Sequence, residues 1–269
     1  MPDTVWSSHA RQWSLLGPPL RPSPEDVVAV ERVASEVGAT RLLLLGVTPE
    51  IATCALPPGA DLTAVDVSEA MIAGVWPRSR VGASARALCA DWREMPFPDG
   101  AMDFAVGDGV FTVVPYPEGA RSLARELGRV LCPRGHLVVR AFVPPGARET
   151  PEAVVRDLLD GRIRSFHAFK WRLVMAGMPG GSASVKLADV WDAWHGLVAD
   201  PHAAMRALGW DERLLATIEP YRDARTVYAF PSVEELVDLA RDVFDLVAEH
   251  VPGYELGERC PTLVFRRKG

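Results

Sequence analysis

Asp66 and Asp91 each close a short apolar run, LTAVD and ALCAD, and Asp66 stands 20 residues after Gly46, which ends the run LLLLG. At that spacing from a strand-ending glycine, a carboxylate has the two acceptor oxygens that match the vicinal hydroxyls of a ribose. Asp91 is followed directly by Trp92, so a second carboxylate can accept from an adenine amino group while an indole covers the ring. The turn after Gly46, VTPE, is where backbone N–H groups approach a ligand. Asp66 and Ser68 are also placed to cap the next helix, and Asp91 with Trp92 to form a purely structural turn.

These groups converge only if the elements around them stack side by side. PEDVVAVERVASEVGA carries apolar residues at helical spacing behind the Pro-rich entry GPPLRPSPED. LLLLG, LTAVD, ARALCAD, MDFAVGDG and GHLVVRAF are predicted strands. EIATCALPPG is long enough for a short crossover helix, and PEGARSLARELGRVLCPRG is a helix closed by Pro133 and Gly135. Alternation of this kind argues for a doubly wound, mostly parallel α/β sheet that binds ligands at the carboxyl ends of its strands. From 143 to 228 the pattern turns helical and gathers Trp171, Trp191, Trp194 and Trp210, as expected of an inserted cap. The helix SVEELVDLARDVFDLVAEH and an antiparallel pair, YELGERC and TLVFRRK, then complete a seven-stranded sheet. The expected organisation is a lid and first helix over 1–38, a cofactor-binding core over 39–142, a helical cap on the substrate side over 143–228, and a closing helix and hairpin over 229–269.

Composition narrows the function classes. The chain has 269 residues and 29 Lys plus Arg against 35 Asp plus Glu, a net charge of -6 that lacks the basic footprint of a general nucleic-acid binder. Cys54, Cys89, Cys132 and Cys260 are scattered, with no CxxC pair, so neither a zinc site nor a disulfide framework is expected, and a reducing cytoplasm fits best. No HxxxH or cluster of Cys and His points to a metal. No cationic leader or membrane-length apolar run is present, so no membrane partner is expected. Nothing signals an oligomeric state.

The block CADWREMPFPDGAMDFAV resembles the D-x-x-x-x-P-F-x-D-x-x-F-D stretch of class I S-adenosylmethionine-dependent methyltransferases acting on small molecules. LARELGRVLCPRGHLVVRAF resembles that family's L-x-E-x-x-R-V-L-x-P-G-G-x-L stretch. The likeness runs from about Ala39 to Phe142. It implies a Rossmann-like methyltransferase fold and S-adenosylmethionine as cofactor. Asp66 would take the ribose diol, Asp91 the adenine amino group, Trp92 the adenine edge or face, and the Gly46 loop with Val47 and Thr48 the methionine portion, with Val67 and Met71 also binding the cofactor. The first loop departs from the family's acidic-x-G-x-G-x-G pattern: Leu44 stands where the acid belongs, Thr48 for the second glycine and Glu50 for the third. Thr and Pro tolerate positive φ poorly, so this loop must take another path, with Glu50 or the Thr48 hydroxyl supplying contacts to the cofactor's amino-acid end.

The acceptor side is less specific. Asp108, at the end of MDFAVGDG, borders both cofactor and acceptor and can orient either. Tyr116 and His167 are further catalytic candidates, although each also reads as a packing residue, as does His195. Arg162, Arg164, His167, Lys170 and Arg172 lie on what reads as an amphipathic helix, either a mouth for an anionic substrate or a solvated face. An N-terminal segment folded over the cofactor would bring Trp13 against the sulfonium and Arg21 to a carboxylate. The expected reaction is direct SN2 methyl transfer. The alternatives are cofactor cleavage that releases methylthioadenosine, and a silent cofactor-binding protein.

Overall fold

The computed structural model describes residues 4–82 and 84–269. Nine strands are described: β1 (Arg41–Leu45), β2 (Asp61–Asp66), β3 (Arg86–Cys89), β4 (Met102–Asp108), β5 (Leu131–Arg140), β6 (Ser184–Lys186), β7 (Val227–Ala229), β8 (Phe244–His250) and β9 (Thr262–Arg267). Seven of them form one sheet in the order β3-β2-β1-β4-β5-β9-β8, in which β9 alone runs against the others. The order reverses between β1 and β4, which leaves a crevice at the carboxyl ends of these two strands.

The helices are α1 (Thr4–Gln12), α2 (Pro24–Glu36), α3 (Pro49–Ala52), α4 (Glu69–Gly74), α5 (Val110–Val113), α6 (Glu118–Val130), α7 (Pro151–Leu159), α8 (Phe166–Ala176), α9 (Leu187–Leu197), α10 (Pro201–Ala207) and α11 (Val233–Ala240). Local sequence sets their starts. Ser23 and Asp26 form a reciprocal capping box on α2, with Pro24 in its first turn, and Ser232 with Glu235 does the same for α11. Among the described residues, no helix is long and apolar enough to cross a membrane.

Strand β1 pairs with both β2 and β4, so both its faces are covered, and its alternate leucines enter different cores. Leu43 and Leu45 pack with residues of α5, α6 and α11, whereas Leu42 and Leu44 pack with residues of α2, α3 and α4. Leu44 is fully buried in the second of these cores. The position of the missing acid is thus filled by an interior packing residue.

Residues between β5 and α11 build a third core around α8, from Phe166, Phe169, Trp171, Trp194 and Tyr221. This region contains α7 to α10 and the small antiparallel pair β6–β7. Helix α1 packs against α4, and a Cβ added at Gly74 would lie 3.4 Å from Ala10 Cβ.

One element expectation is corrected. The segment expected to be a single helix through His250 stops at Ala240, and Phe244–His250 is the strand that pairs with β9. In FDLVAEH the more covered residues alternate with exposed ones, a two-residue period. YELGERC, expected as that strand, instead contains a short 3-10 turn at Gly257–Arg259.

Candidate functional site

A cavity of about 300 Å³ opens at the carboxyl ends of β1, β2 and β4. Gly46, Val47, Thr48, Asp66, Val67 and Met71 line it, as do Asp91, Trp92, Asp108 and Trp13.

At Gly46 the chain takes φ +94°, and its N–H donates to Val65 O at 2.7 Å. A side chain there would be strained and would point toward Trp92 and the Asp66 carboxylate. Thr48 has φ -56° and ψ 111° and opens α3 with Pro49 in its first turn. The loop therefore needs a single glycine, because a proline-led helix start replaces the remaining glycine positions.

Asp66 is 8% exposed. Its Oδ1 accepts from Ser68 N at 2.8 Å, and Ser68 Oγ in turn caps α4 by accepting from Met71 N. The capping role thus belongs to Ser68, and Asp66 Oδ2 lies on the Gly46 side. Burial raises the Asp66 carboxyl to about 6, opposed by the Ser68 hydrogen bond. Trp92 Nε1 donates to Val65 O at 2.5 Å, which fixes the indole across the ends of β1 and β2. Asp91 is held by Arg93, which donates to it from its backbone N, Nε and Nη2. That pairing keeps the Asp91 carboxyl below its usual range.

The two family-like blocks are joined in space. Glu126 Oε1 accepts from Met95 N at 2.6 Å, while Arg129 donates to Met95 O, Phe97 O and Asp99 Oδ1. The Glu and Arg of LARELGRV thereby pin the EMPFPD loop that follows Asp91 and Trp92. Their role is to position.

The Asp108 side chain is largely buried, and its Oδ1 accepts from Arg140 Nε at 2.7 Å. Burial raises its carboxyl in spite of Arg140. Arg140 also donates to Pro19 O and Tyr254 Oη. Gly109 follows at φ +64°, and a Cβ there would fall 2.5 Å from Phe142 Cε2, so only glycine fits beside that ring.

The N-terminal segment covers the opening: Trp6, His9, Trp13, Leu16 and Leu20 all line the cavity. Arg21 stacks over Trp13, 5.1 Å from the ring centroid, and donates to Trp13 O and Leu16 O. The carboxylate it meets is Glu50, through Nε at 2.7 Å. Arg21 and Glu50 are therefore engaged with each other beside the cavity, and neither is among the residues that line it.

Two further candidates lie elsewhere. Tyr116 packs with the core of α6 and α11, near Glu235. His167 is half-buried against Gly17, with burial and the nearby Lys170 lowering it to about 4. His195 stacks on Trp191 at 4.1 Å and pairs with Glu219. The expected cationic helix face is absent: Arg162 and Arg164 precede α8, and Arg172 pairs with Glu149 and Asp157. Lys170 turns inward and lines the cavity, together with Phe142, Trp171, Tyr221 and Tyr228. Sequence reasoning named Lys170 only within a basic run and Trp171 only within the cap, and it missed Phe142, Tyr221, Tyr228 and His9. The available signal was that α8 is apolar around nearly its whole circumference, which marks a buried helix.

Residues 43–139 match a family model described as a methyltransferase domain. Over these residues the core resembles a methyltransferase domain. The demethylmenaquinone methyltransferase of Thermus thermophilus is 37% identical over 90 residues, 33% of this chain and 39% of that relative. The chain thus matches well under half the length of this relative. Several solved structures resemble the whole chain in fold. The CcbJ methyltransferase of Streptomyces caelestis aligns with a TM-score of 0.58 and 14% identity, covering 99% of this chain and 98% of that one. A 1,6-didemethyltoxoflavin-N1-methyltransferase of Burkholderia thailandensis aligns with a TM-score of 0.53 and 15% identity, covering 99% and 86%. A chain described as a putative Zn-dependent alcohol dehydrogenase of Rhodobacter sphaeroides gives 0.65 at 17% identity, with 100% of both chains covered. At such identities these likenesses concern the fold.

Proposed function

We propose that this chain binds S-adenosylmethionine in the crevice cavity and transfers its methyl group to a small-molecule acceptor. The carrying observation is the buried Asp66 carboxylate, with one oxygen committed to its own turn and the other beside the side-chain-free Gly46. Asp66 would accept from the ribose hydroxyls, and Asp91 from the adenine amino group while keeping its Arg93 contacts. Val67, Met71 and Trp92 would surround the ring. Gly46, Val47 and Thr48 would hold the methionine portion, and Trp13 would face the sulfonium. Bound there, the cofactor supplies an electrophilic methyl group. The protein's part is to orient an acceptor in line with that group and keep water away.

The name of the Thermus relative supports a small acceptor. Four free cysteines are compatible with a reducing cytoplasm, the compartment we assign.

Calorimetric titration with S-adenosylmethionine and S-adenosylhomocysteine tests the reading, with Asp66→Ala and NAD as controls. Micromolar binding that is lost in Asp66→Ala and absent for NAD is expected. No binding by the wild-type protein would overturn it. Under turnover with an acceptor, release of S-adenosylhomocysteine is expected, and methylthioadenosine would point instead to cleavage of the cofactor.

A further inference from the structure

Lys170 is 1% exposed, and its Nζ donates to Thr217 O at 2.9 Å and Thr217 Oγ1 at 3.2 Å. The Thr217 hydroxyl hydrogen is spent on Leu214 O at 2.8 Å, so Oγ1 can only accept from Lys170. A neutral amine has two hydrogens and one lone pair. Both hydrogens are thereby placed on Thr217, and the lone pair is left over at a residue lining the cavity.

The surroundings reinforce this. No carboxylate is among the described contacts of Lys170, and the third neighbour of Nζ is the Tyr221 ring, 5.3 Å from its centroid. An unpaired ammonium so deep would cost several kcal/mol. His9 lies across the same tyrosine, with ring centroids 6.5 Å apart, and its buried Nε2 has no partner. The buried Nε1–H groups of Trp13 and Trp171 are equally unpartnered. All three residues line the cavity, and the carboxylates that line it, Asp66, Asp91 and Asp108, belong to its strand end. Phe142, Tyr221 and Tyr228 add further aromatic rings to the lining.

Building on the methyltransferase reading, we infer that Lys170 is the proton acceptor of an acceptor site shaped for a planar aromatic hydroxyl compound, enclosed by His9, Trp171 and Tyr221. The hydroxyl O–H bond breaks, its proton joins the Lys170 lone pair to form an ammonium, and the oxygen keeps the bonding electrons. That oxygen attacks the methyl carbon and displaces sulfur, which leaves with the C–S pair. The ammonium is compensated by the phenolate while it lasts, and its proton returns to solvent when product leaves. Burial lowers Lys170 to about 7, so a large neutral fraction exists near neutral pH. The titratable groups around it do not compete for that proton: His9 and His167 are lowered to about 3 and about 4, and burial raises the Tyr221 phenol. Tyr228 adds a further phenol to this wall.

The chain holds three lysines, Lys170, Lys186 and Lys268, and the latter two are exposed, so lysine-labelled full-length protein gives a readable carbon NMR spectrum. One Cε signal, that of Lys170, is expected to titrate near neutral pH. In the protein loaded with S-adenosylhomocysteine, adding 4-nitrophenol should drive that signal to its ammonium position while the bound probe absorbs as the phenolate. Lys170→Met should bind S-adenosylhomocysteine normally and lose the phenolate signal. If that variant does not fold, the wild-type titration decides alone. A Lys170 signal that stays in the ammonium form beyond pH ~9, or that ignores 4-nitrophenol, overturns the assignment. Failure to bind S-adenosylhomocysteine at all would instead sink the methyltransferase reading beneath it.

Discussion

Arg21 Nε donates to Glu50 Oε1 at 2.7 Å, which ties the segment covering the cavity to the loop beneath it. The same guanidinium holds Trp13 O and Leu16 O and stacks on Trp13, so one side chain organises the turn of the lid and anchors it. Glu50 stands where a glycine is expected in the family pattern, and the departure has a use: it supplies the anchor.

Removing either partner should therefore loosen the lid. Arg21→Ala and Glu50→Ala are each expected to weaken S-adenosylhomocysteine binding by roughly tenfold. Because the pair is largely covered, the double variant should show a coupling of about 1 kcal/mol. Calorimetry on the four proteins of the cycle measures it. Additive effects would mean that the contact does not hold the lid.

Cofactor binding should fall in mild acid. The Asp66 carboxyl is raised to about 6, and ribose hydroxyls donate to the ionised form, so binding is favoured above that pH and lost as pH falls through it. The dissociation constant should rise about tenfold per pH unit below ~6, and Asp66→Asn should be weak at every pH. For the free protein the sign is opposite. A raised carboxyl lends stability that is complete below its unfolded value and is lost as pH rises through about 6. Parallel pH dependence in wild type and Asp66→Asn would refute the assignment.

The Asp108–Arg140 pair should matter for folding more than for chemistry. Both side chains are buried, and Arg140 also holds Pro19 O and Tyr254 Oη. Arg140→Ala leaves Asp108 as an uncompensated buried carboxylate, an expected loss of about 3 to 5 kcal/mol. Urea denaturation would show the midpoint fall with little change in slope. A loss below about 1 kcal/mol would mean that the pair is not a structural keystone.

Gly46→Ala confronts a φ of +94° with a side chain. A destabilisation of about 1 to 2 kcal/mol is expected, along with weaker S-adenosylhomocysteine binding, because the new methyl faces Trp92 and Asp66. Thr48→Gly should relieve no comparable strain, since Thr48 already has negative φ. Thermal melts with and without ligand separate the two effects.

The sequence alone determined the sheet and the end at which Gly46, Asp66 and Asp91 meet. Apolar runs ending in Gly46, Asp66 and Asp91 mark strands covered on both faces, and the alternation with helices dictates parallel order, so these residues had to meet at one edge. Ser68 caps a helix three residues on, and a motif that local is legible in one dimension, whereas the contact of Glu126 with Met95 spans 31 residues and is set by the fold. The closing strand was obscured because FDLVAEH satisfies helical spacing as well as alternation.

Only the tertiary structure decided which residues meet around Lys170. Lys170 reads as one cation in a run of basic residues, yet it is enclosed because α8 is packed all round, and His9 reaches the same tyrosine from the other end of the chain. Arg21 and Glu50 are 29 residues apart, and their meeting depends on how the lid crosses α3. Periodicity records which residues are buried along an element. It carries no information about which buried groups, far apart in sequence, face one another across a cavity.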